Sequence, residues 1–228
     1  MMKKIYLVFI AILLFFSSTN AQIKIGLLGG INFSDSKQNE FLYTESKSKT
    51  NFGLGGVVDF QFTNNFSVRF EPLYIEKGSY GEIENLEGMY ARATFNISYF
   101  ELPVLFKYSV GNAVQPYMFA GPTIGFKLDS DIMLKAGALE VGVGTNNIMK
   151  NIEYSFNLGA GINYKIDELA TIFFEAKYVF GLTDIVKKGD FNLKIGDELE
   201  HVRIDNDTKY DNRGVQLMVG FMFPLNIN

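Results

Sequence analysis

Eleven charged side chains recur at alternate positions of patterned segments, where they could support ion pairing or the passage of a proton or a small solute. They are Lys24, Asp59, Arg69, Glu71, Glu101, Lys107, Lys127, Glu153, Lys165, Glu175 and Lys177. Six are basic and five are acidic, so opposite charges nearly balance. Charges removed from water are tolerated only when they are paired and hydrogen-bonded. The set therefore predicts a buried ionic network if the fold brings these residues together.

Signals for catalysis or for a metal site are weak. The chain has no Cys, and its single histidine, His201, lies in a long predicted loop. Catalysis by a nucleophile or a general base needs several groups held together, and nothing in the sequence assembles them. Asp205-Asn206-Asp207 resembles part of a calcium loop but lacks the spaced ligands and the closing Glu. We expect no catalytic residue, no metal ligand and no cofactor, and therefore no enzyme.

The elements that would position the charges are β-strands with one apolar face. Between residues 152 and 166 every even position is apolar, whereas the odd positions are Glu153, Ser155, Asn157, Gly159, Gly161, Asn163 and Lys165. Alternation with period two is typical of a strand with two unlike faces. The same pattern predicts eight strands, near residues 23–33, 51–62, 66–77, 95–110, 115–128, 152–166, 170–183 and 214–225.

The connections between these strands alternate between short and long. Residues 63–65, 111–114 and 167–169 are predicted tight turns, whereas 34–50, 78–94, 129–151 and 184–213 are long connections. Alternating residues within the last two long connections predict a β-hairpin in each. Alternation of short and long connections is typical of outer-membrane barrels, which have short periplasmic turns and long external loops. We therefore predict an all-β fold, an eight-stranded antiparallel up-and-down transmembrane β-barrel.

The N-terminus has the pattern of an export signal. Lys3 and Lys4 precede an apolar run over 5–16 and small residues at Thr19 and Ala21, which predicts a signal peptide cleaved after Ala21. The run is shorter than the roughly 20 residues that a membrane helix needs. We predict a signal peptide over 1–21 and an outer-membrane β-barrel domain over 22–228. Without the signal, 19 basic and 25 acidic residues give a net charge of −6, which argues against nucleic acid as a partner.

The apolar face of each strand is predicted to contact lipid. The even positions from 170 to 182 carry no charge, whereas a Lys or Arg at the midplane of a barrel exterior costs about 2–4 kcal/mol. A soluble barrel with this face inside is the alternative. Because eight strands enclose little more than their own side chains, we predict a lumen plugged by ion pairs, with Gly159 and Gly161 making room for longer side chains. A narrow solute or proton path through the charges is the alternative.

Several segments resemble the PorT-like outer-membrane β-barrel family of Bacteroidetes. They are Phe-Glu-Leu-Pro-Val-Leu-Phe-Lys-Tyr over 100–108, Pro-Tyr-Met-Phe-Ala-Gly-Pro over 116–122, Glu-Ala-Lys-Tyr at 175–178 with Gly-Leu-Thr-Asp-Ile at 181–185, and Asn-Arg-Gly at 212–214. The resemblance extends over essentially the whole mature chain. It implies an eight-stranded barrel with no catalytic residues, and through the founding member a link to protein export by the type IX secretion system.

The expected function is that of a non-enzymatic integral outer-membrane barrel with a closed lumen, acting structurally or through its external loops. An accessory role in PorT-type (type IX) secretion and a narrow solute channel are the alternatives. Expected partners are outer-membrane lipid, the barrel-insertion machinery during assembly, and secretion-system proteins or extracellular ligands. The candidate luminal charge network comprises Asp59, Arg69, Glu71, Glu101, Lys107, Lys127, Glu153, Lys165, Glu175 and Lys177.

Overall fold

The computed structural model describes residues 22–38, 47–84, 90–137, 139–167, 169–195, 198–204 and 210–225. The predicted signal peptide and the Asp205-Asn206-Asp207 segment lie outside this part of the chain. The described residues form twelve strands: β1 (Gln22–Gln38), β2 (Lys47–Gln61), β3 (Phe66–Phe70), β4 (Leu73–Glu84), β5 (Tyr90–Ser109), β6 (Val114–Ala136), β7 (Leu139–Gly144), β8 (Ile152–Lys165), β9 (Thr171–Gly181), β10 (Gly189–Ile195), β11 (Glu198–Ile204) and β12 (Tyr210–Leu225). No helix in these ranges is long and apolar enough to cross a bilayer.

Eight barrel strands pair in a closed antiparallel ring. The order around the ring is β1, β2, β3 with β4, β5, β6, β8, β9 and β12, and pairing of β12 with β1 completes it. Strands β3 and β4 form one barrel strand that is interrupted at Glu71 and Pro72, because proline cannot donate to the ladder. The ladder resumes around the interruption, where Gly56 N donates to Pro72 O at 2.9 Å. The predicted all-β barrel is therefore confirmed.

The two ends of the barrel differ as the loop lengths predicted. At one end, here the turn end, short segments join β2 to β3, β5 to β6 and β8 to β9. At the other, the long-loop end, several strands continue past their predicted limits, so that β4 and β5 stay paired up to Glu84 and Tyr90. Both predicted hairpins are present, β6 with β7 and β10 with β11. The barrel wall therefore rises unevenly at the long-loop end, highest along β4, β5, β6 and β7.

The outer face of the ring is apolar and the inner face is mixed. Leu27, Leu54, Phe106, Leu158 and Phe174 are each at least half exposed on the outside. Residues of the opposite phase are buried in the lumen and include many charged and polar side chains. This is the reverse of a water-soluble barrel, in which the apolar phase fills the interior. The soluble alternative is thereby excluded, and the apolar belt is the surface that meets lipid.

Candidate functional site

The strand phase gathers nine charged side chains inside the lumen, here called the luminal network. Its members are Asp59, Arg69, Glu71, Lys77, Glu101, Lys107, Glu153, Glu175 and Lys177, all buried. They come from β2, β4, β5, β8 and β9, from β3, and from the Glu71 interruption between β3 and β4. Because each strand directs alternate residues inward, positions far apart in sequence meet here. The network divides into two groups of ion pairs at different depths.

One group, nearer the turn end, is organised by Arg69. Its Nε and Nη2 donate to Oδ2 of Asp59 at 3.1 and 3.0 Å, and its Nη1 donates to Oε2 of Glu175 at 2.9 Å. Lys107 also donates to Oδ2 of Asp59. The guanidinium lies 4.7 Å from the ring centroid of Phe173, a distance suited to a cation–π contact. One arginine thus satisfies two carboxylates and packs on an aromatic ring.

Lys177 completes this turn-end group. Its Nζ donates to Oε2 of Glu71 at 2.6 Å and lies 3.6 Å from Oε1 of Glu175. Glu71 Oε1 lies 3.6 Å from Arg69 Nη1, so two cations and two carboxylates alternate around a small ring. Tyr117 donates its hydroxyl to Glu175 Oε2 at 3.0 Å. The turn-end group therefore holds three cations, Arg69, Lys107 and Lys177, and three carboxylates, Asp59, Glu71 and Glu175, and is balanced in charge.

The second group lies nearer the long-loop end and is built on Lys77. The Lys77 Nζ is 2.6 Å from Oε1 of Glu101 and 3.1 Å from Oε1 of Glu153. Asn212 Nδ2 donates to the other Glu153 oxygen at 2.9 Å, and the lysine lies 4.9 Å from the centroid of Tyr99. Lys77 was absent from the predicted set, although it continues the inward phase of Leu73 and Ile75. It lies within the predicted strand 66–77, but it shares its phase with the apolar residues Leu73 and Ile75, and an apolar phase predicts contact with lipid.

Two residues of the predicted network lie elsewhere. Lys127 is half-buried at a β-bulge, where the β5–β6 register shifts between Ser98 and Tyr99, and its Nζ donates to the backbone oxygen of Asn146 at 2.8 Å. Lys127 stands opposite Tyr99 in the ladder, just before the phase of β6 changes, and its ammonium group meets the connection between β7 and β8 and not the luminal network. Lys165 ends β8 at the turn end and lines a separate cavity there with Lys24. Neither Lys127 nor Lys165 forms an ion pair with the luminal network in the described residues.

Two glycines make room for neighbouring side chains, chiefly for aromatic rings. A Cβ at Gly159 would come within 2.5 Å of the Phe119 ring, and a Cβ at Gly161 would meet the Tyr117 ring and lie 2.6 Å from Phe174 O. These positions therefore give space to aromatic rings of β6 on the neighbouring strand. A Cβ at Gly159 would also lie 2.8 Å from Cβ of Lys177, so this glycine makes room for a luminal lysine as well.

The lumen also contains an apolar layer that the charge pattern did not predict. Leu73, Ile75 and Ile97 form a buried cluster with further inward-facing residues of the strands, and four residues of the long connections join it. Those four are Ile148, Met149, Ile185 and Val186. Leu73 stands opposite Glu101 in the β4–β5 ladder and Phe173 lies against Arg69, so apolar and charged side chains mix within the lumen. The four loop residues add apolar contacts on the side of the long loops.

The four loop residues form a small structure at the long-loop end, here called the loop cap. Met149 and Val186 form a β-bridge, Lys150 N donates to Ile185 O at 2.8 Å, and Lys187 N donates to Ile148 O at 2.7 Å. The side chains of the four cap residues are all buried. Two long connections are therefore tied to each other while their apolar side chains point into the barrel.

His201 lies in β11 of the last hairpin, outside the barrel ring. Within the described residues, the luminal carboxylates are engaged by cations. The ion pairs of the luminal network connect strands across the lumen.

A closed antiparallel ring with an apolar exterior, short turns at one end and long loops at the other defines an outer-membrane β-barrel. The chain belongs to the outer membrane protein beta-barrel domain family, whose model matches residues 16–187. The protein is accordingly located in the outer membrane, with its turn end towards the periplasm and its long-loop end external.

Solved structures that are similar to the chain have low sequence identity to it. The outer membrane protein OprG from Pseudomonas aeruginosa is 17% identical, with a TM-score of 0.52, and the alignment covers 92% of this chain and 98% of that protein. Neisserial surface protein A is 11% identical, with a TM-score of 0.46 and coverage of 88% and 97%. No curated protein matches the chain. At such identities the likeness concerns the fold alone.

Proposed function

We propose that this protein is a non-enzymatic barrel with a closed lumen that acts through its external loops, as a structural element of the membrane or by binding an extracellular ligand. The observation that carries the proposal is the double obstruction of the lumen. The luminal network crosses the interior, and the loop cap packs its apolar side chains above it. A path for solutes would have to break buried ion pairs, which is costly.

The external loops support the second half of the proposal. The β6–β7 hairpin extends the barrel wall, and the β10–β11 hairpin forms a separate two-stranded sheet. Loops carried on a rigid scaffold are where barrels and other folds commonly place their binding residues. Ordered hairpins at the external end would present a defined surface to the medium.

Conductance tests the closed lumen. The purified mature protein in planar bilayers should give no steady unitary currents, because two independent layers fill the lumen. Steady currents would replace this proposal with the narrow channel. A lipid-modifying activity of the purified barrel that the His201→Ala substitution abolished would contradict the non-enzymatic role.

Surface binding tests the role of the loops. A variant with residues 189–204 replaced by a short Gly-Ser linker should still reach the outer membrane, because in the described part of the chain β10 and β11 pair only with each other. Cells with this variant should lose adhesion or ligand capture that cells with the intact protein show. The matched control replaces the tight turn 111–113 with another turn of equal length, which leaves the external surface unchanged.

Participation in type IX secretion is the alternative, and it rests on the resemblance to PorT-like proteins. Deletion of the gene followed by a comparison of secreted proteins separates the two roles. Loss of many secreted proteins would favour secretion, whereas an unchanged set together with altered surface binding would favour the loops.

A further inference from the structure

A cavity at the periplasmic end lies apart from the luminal network. Its volume is about 650 Å³, and its lining includes Gln22, Lys24, Asn112, Lys165, Asp167 and Thr171. These residues come from the start of β1, the β5–β6 turn, the end of β8, the β8–β9 turn and the start of β9. Small-molecule sites commonly measure about 300–1,000 Å³, so the cavity is large enough for a ligand the size of a lipid headgroup. We call it the periplasmic vestibule.

Two lysines line the vestibule, and one of them, Lys24, stands opposite Asp59 in the β1–β2 ladder. Lys24 and Lys165 are half-buried there, and neither forms an ion pair within the ranges that the structure covers. The nearby carboxylates are occupied. Asp59 is held by Arg69 and Lys107, and Asp167 Oδ1 accepts from the backbone nitrogens of Leu169 and Ala170, each at 2.8 Å.

The charges around the vestibule favour an anion. The turn-end group of the luminal network is balanced, so it supplies no surplus negative charge to the two lysines. Two ammonium groups that line one cavity repel each other, and the repulsion is greater where part of the surrounding water is replaced by protein. An anion between them would relieve this repulsion. Gln22, Asn112 and Thr171 add amide and hydroxyl donors on the same lining.

We propose that the periplasmic vestibule binds a phosphate-bearing ligand of headgroup size, with Lys24 and Lys165 as its cationic contacts. Lysine is a common phosphate ligand in proteins, and hydrogen bonds to a charged oxygen are about twice as strong as neutral ones. The shared chemistry is glycerophosphate, which a phospholipid headgroup of the inner leaflet or a soluble organic phosphate would supply. The site is distinct from the external loops and does not depend on their proposed role.

Calorimetric titration of the mature protein in an uncharged detergent tests the site. The probes are glycerol 3-phosphate and short-chain phosphatidylglycerol, each titrated separately. The double variant Lys24→Gln/Lys165→Gln should bind at least about tenfold more weakly than the unmodified protein, since each charged contact removed weakens the complex. The matched control is Lys135→Gln, which removes a lysine that is 62% exposed at the external end and should leave binding unchanged.

The two probes distinguish the sources of the ligand. Binding of both supports a glycerophosphate site open to soluble compounds, and binding of phosphatidylglycerol alone supports a lipid headgroup site. Absence of saturable binding by either probe, or equal affinity in the double variant, overturns the proposal.

Folding is checked separately by the heat-dependent shift in electrophoretic mobility that barrels show. If the double variant does not fold, the two single variants and a salt series on the unmodified protein decide the question. The affinity should fall as NaCl rises from about 50 to about 500 mM, because salt screens charges separated by solvent. An affinity that is independent of salt and unchanged in both single variants contradicts the proposal.

Discussion

Arg69 Nη1 lies 2.9 Å from Glu175 Oε2, and the two residues stand on opposite sides of the barrel. Arg69 belongs to β3 and Glu175 to β9, and three barrel strands separate these strands in either direction around the ring. The sequence separation is 106 residues. This ion pair is therefore a strut: it connects opposite walls of the barrel directly across the lumen. Backbone hydrogen bonds connect only neighbouring strands.

Arg69→Met should destabilise the folded barrel by about 3–5 kcal/mol, because the substitution leaves Asp59 and Glu175 buried without their main cation. The free energy of unfolding in urea, measured on protein in lipid vesicles, checks this value. Lys135→Met is the control, since the Lys135–Glu140 pair is 3.6 Å long with side chains 62% and 48% exposed. Surface pairs contribute about 0–1 kcal/mol. Equal losses of unfolding free energy in the two variants would contradict the role of Arg69 as a strut.

Lys77→Met should likewise destabilise the barrel by several kcal/mol, because Glu101 and Glu153 both depend on this one lysine. The triple variant Lys77→Met/Glu101→Gln/Glu153→Gln should recover much of that loss, since no uncompensated charge remains in the lumen. Urea unfolding of both variants measures the recovery. A triple variant as unstable as the single one would mean that packing of the lysine, and not charge, dominates at this site.

Much of the luminal network could be predicted because the inward phase of a strand is visible in sequence. Glu71, Glu101 and Lys177 stand at positions whose alternation with apolar neighbours already assigns them to the interior. Lys77 lies within the predicted strand 66–77 but shares its phase with Leu73 and Ile75, two apolar residues that line the lumen although an apolar phase predicts contact with lipid. The contacts of Lys127 could not be predicted, because alternation places this residue on the inward phase but does not show that its ammonium group meets Asn146 and Met149.

The loop cap also could not be predicted from the sequence. Ile148, Met149, Ile185 and Val186 occur in two connections separated along the chain, with no periodicity that assigns them to the lumen. Their burial follows from contacts between the two connections and from docking on the luminal apolar layer. Contacts of this kind depend on the tertiary structure, whereas the strands could be predicted from the local alternation of apolar and polar residues.

Gly161→Ala should destabilise the barrel by about 1–3 kcal/mol through overpacking. The added Cβ would meet the Tyr117 ring and lie 2.6 Å from Phe174 O, so a backbone atom would have to move. Gly142→Ala is the matched control, because a Cβ there meets nothing within 4 Å. The two unfolding midpoints in urea give the comparison. A Gly142 variant as destabilised as the Gly161 variant would indicate a general cost of removing glycine from these strands.

Leu158→Lys tests which face of the wall meets lipid. Leu158 is 53% exposed near the middle of β8, so the substitution should cost about 2–4 kcal/mol, the range for a cation at the bilayer midplane. Ile166→Lys places the same charge just past the end of β8, where the residue is also exposed, and should cost about 0–1 kcal/mol because the headgroup region is near. Urea unfolding in vesicles measures both variants. Both substitutions replace an exposed aliphatic residue in β8, or just past its end, by lysine. The difference between the two free-energy costs therefore reports the depth of the charge in the membrane and not the chemistry of the side chain. Equal costs would mean that the apolar belt does not lie across the hydrocarbon layer as the strand order and loop lengths indicate.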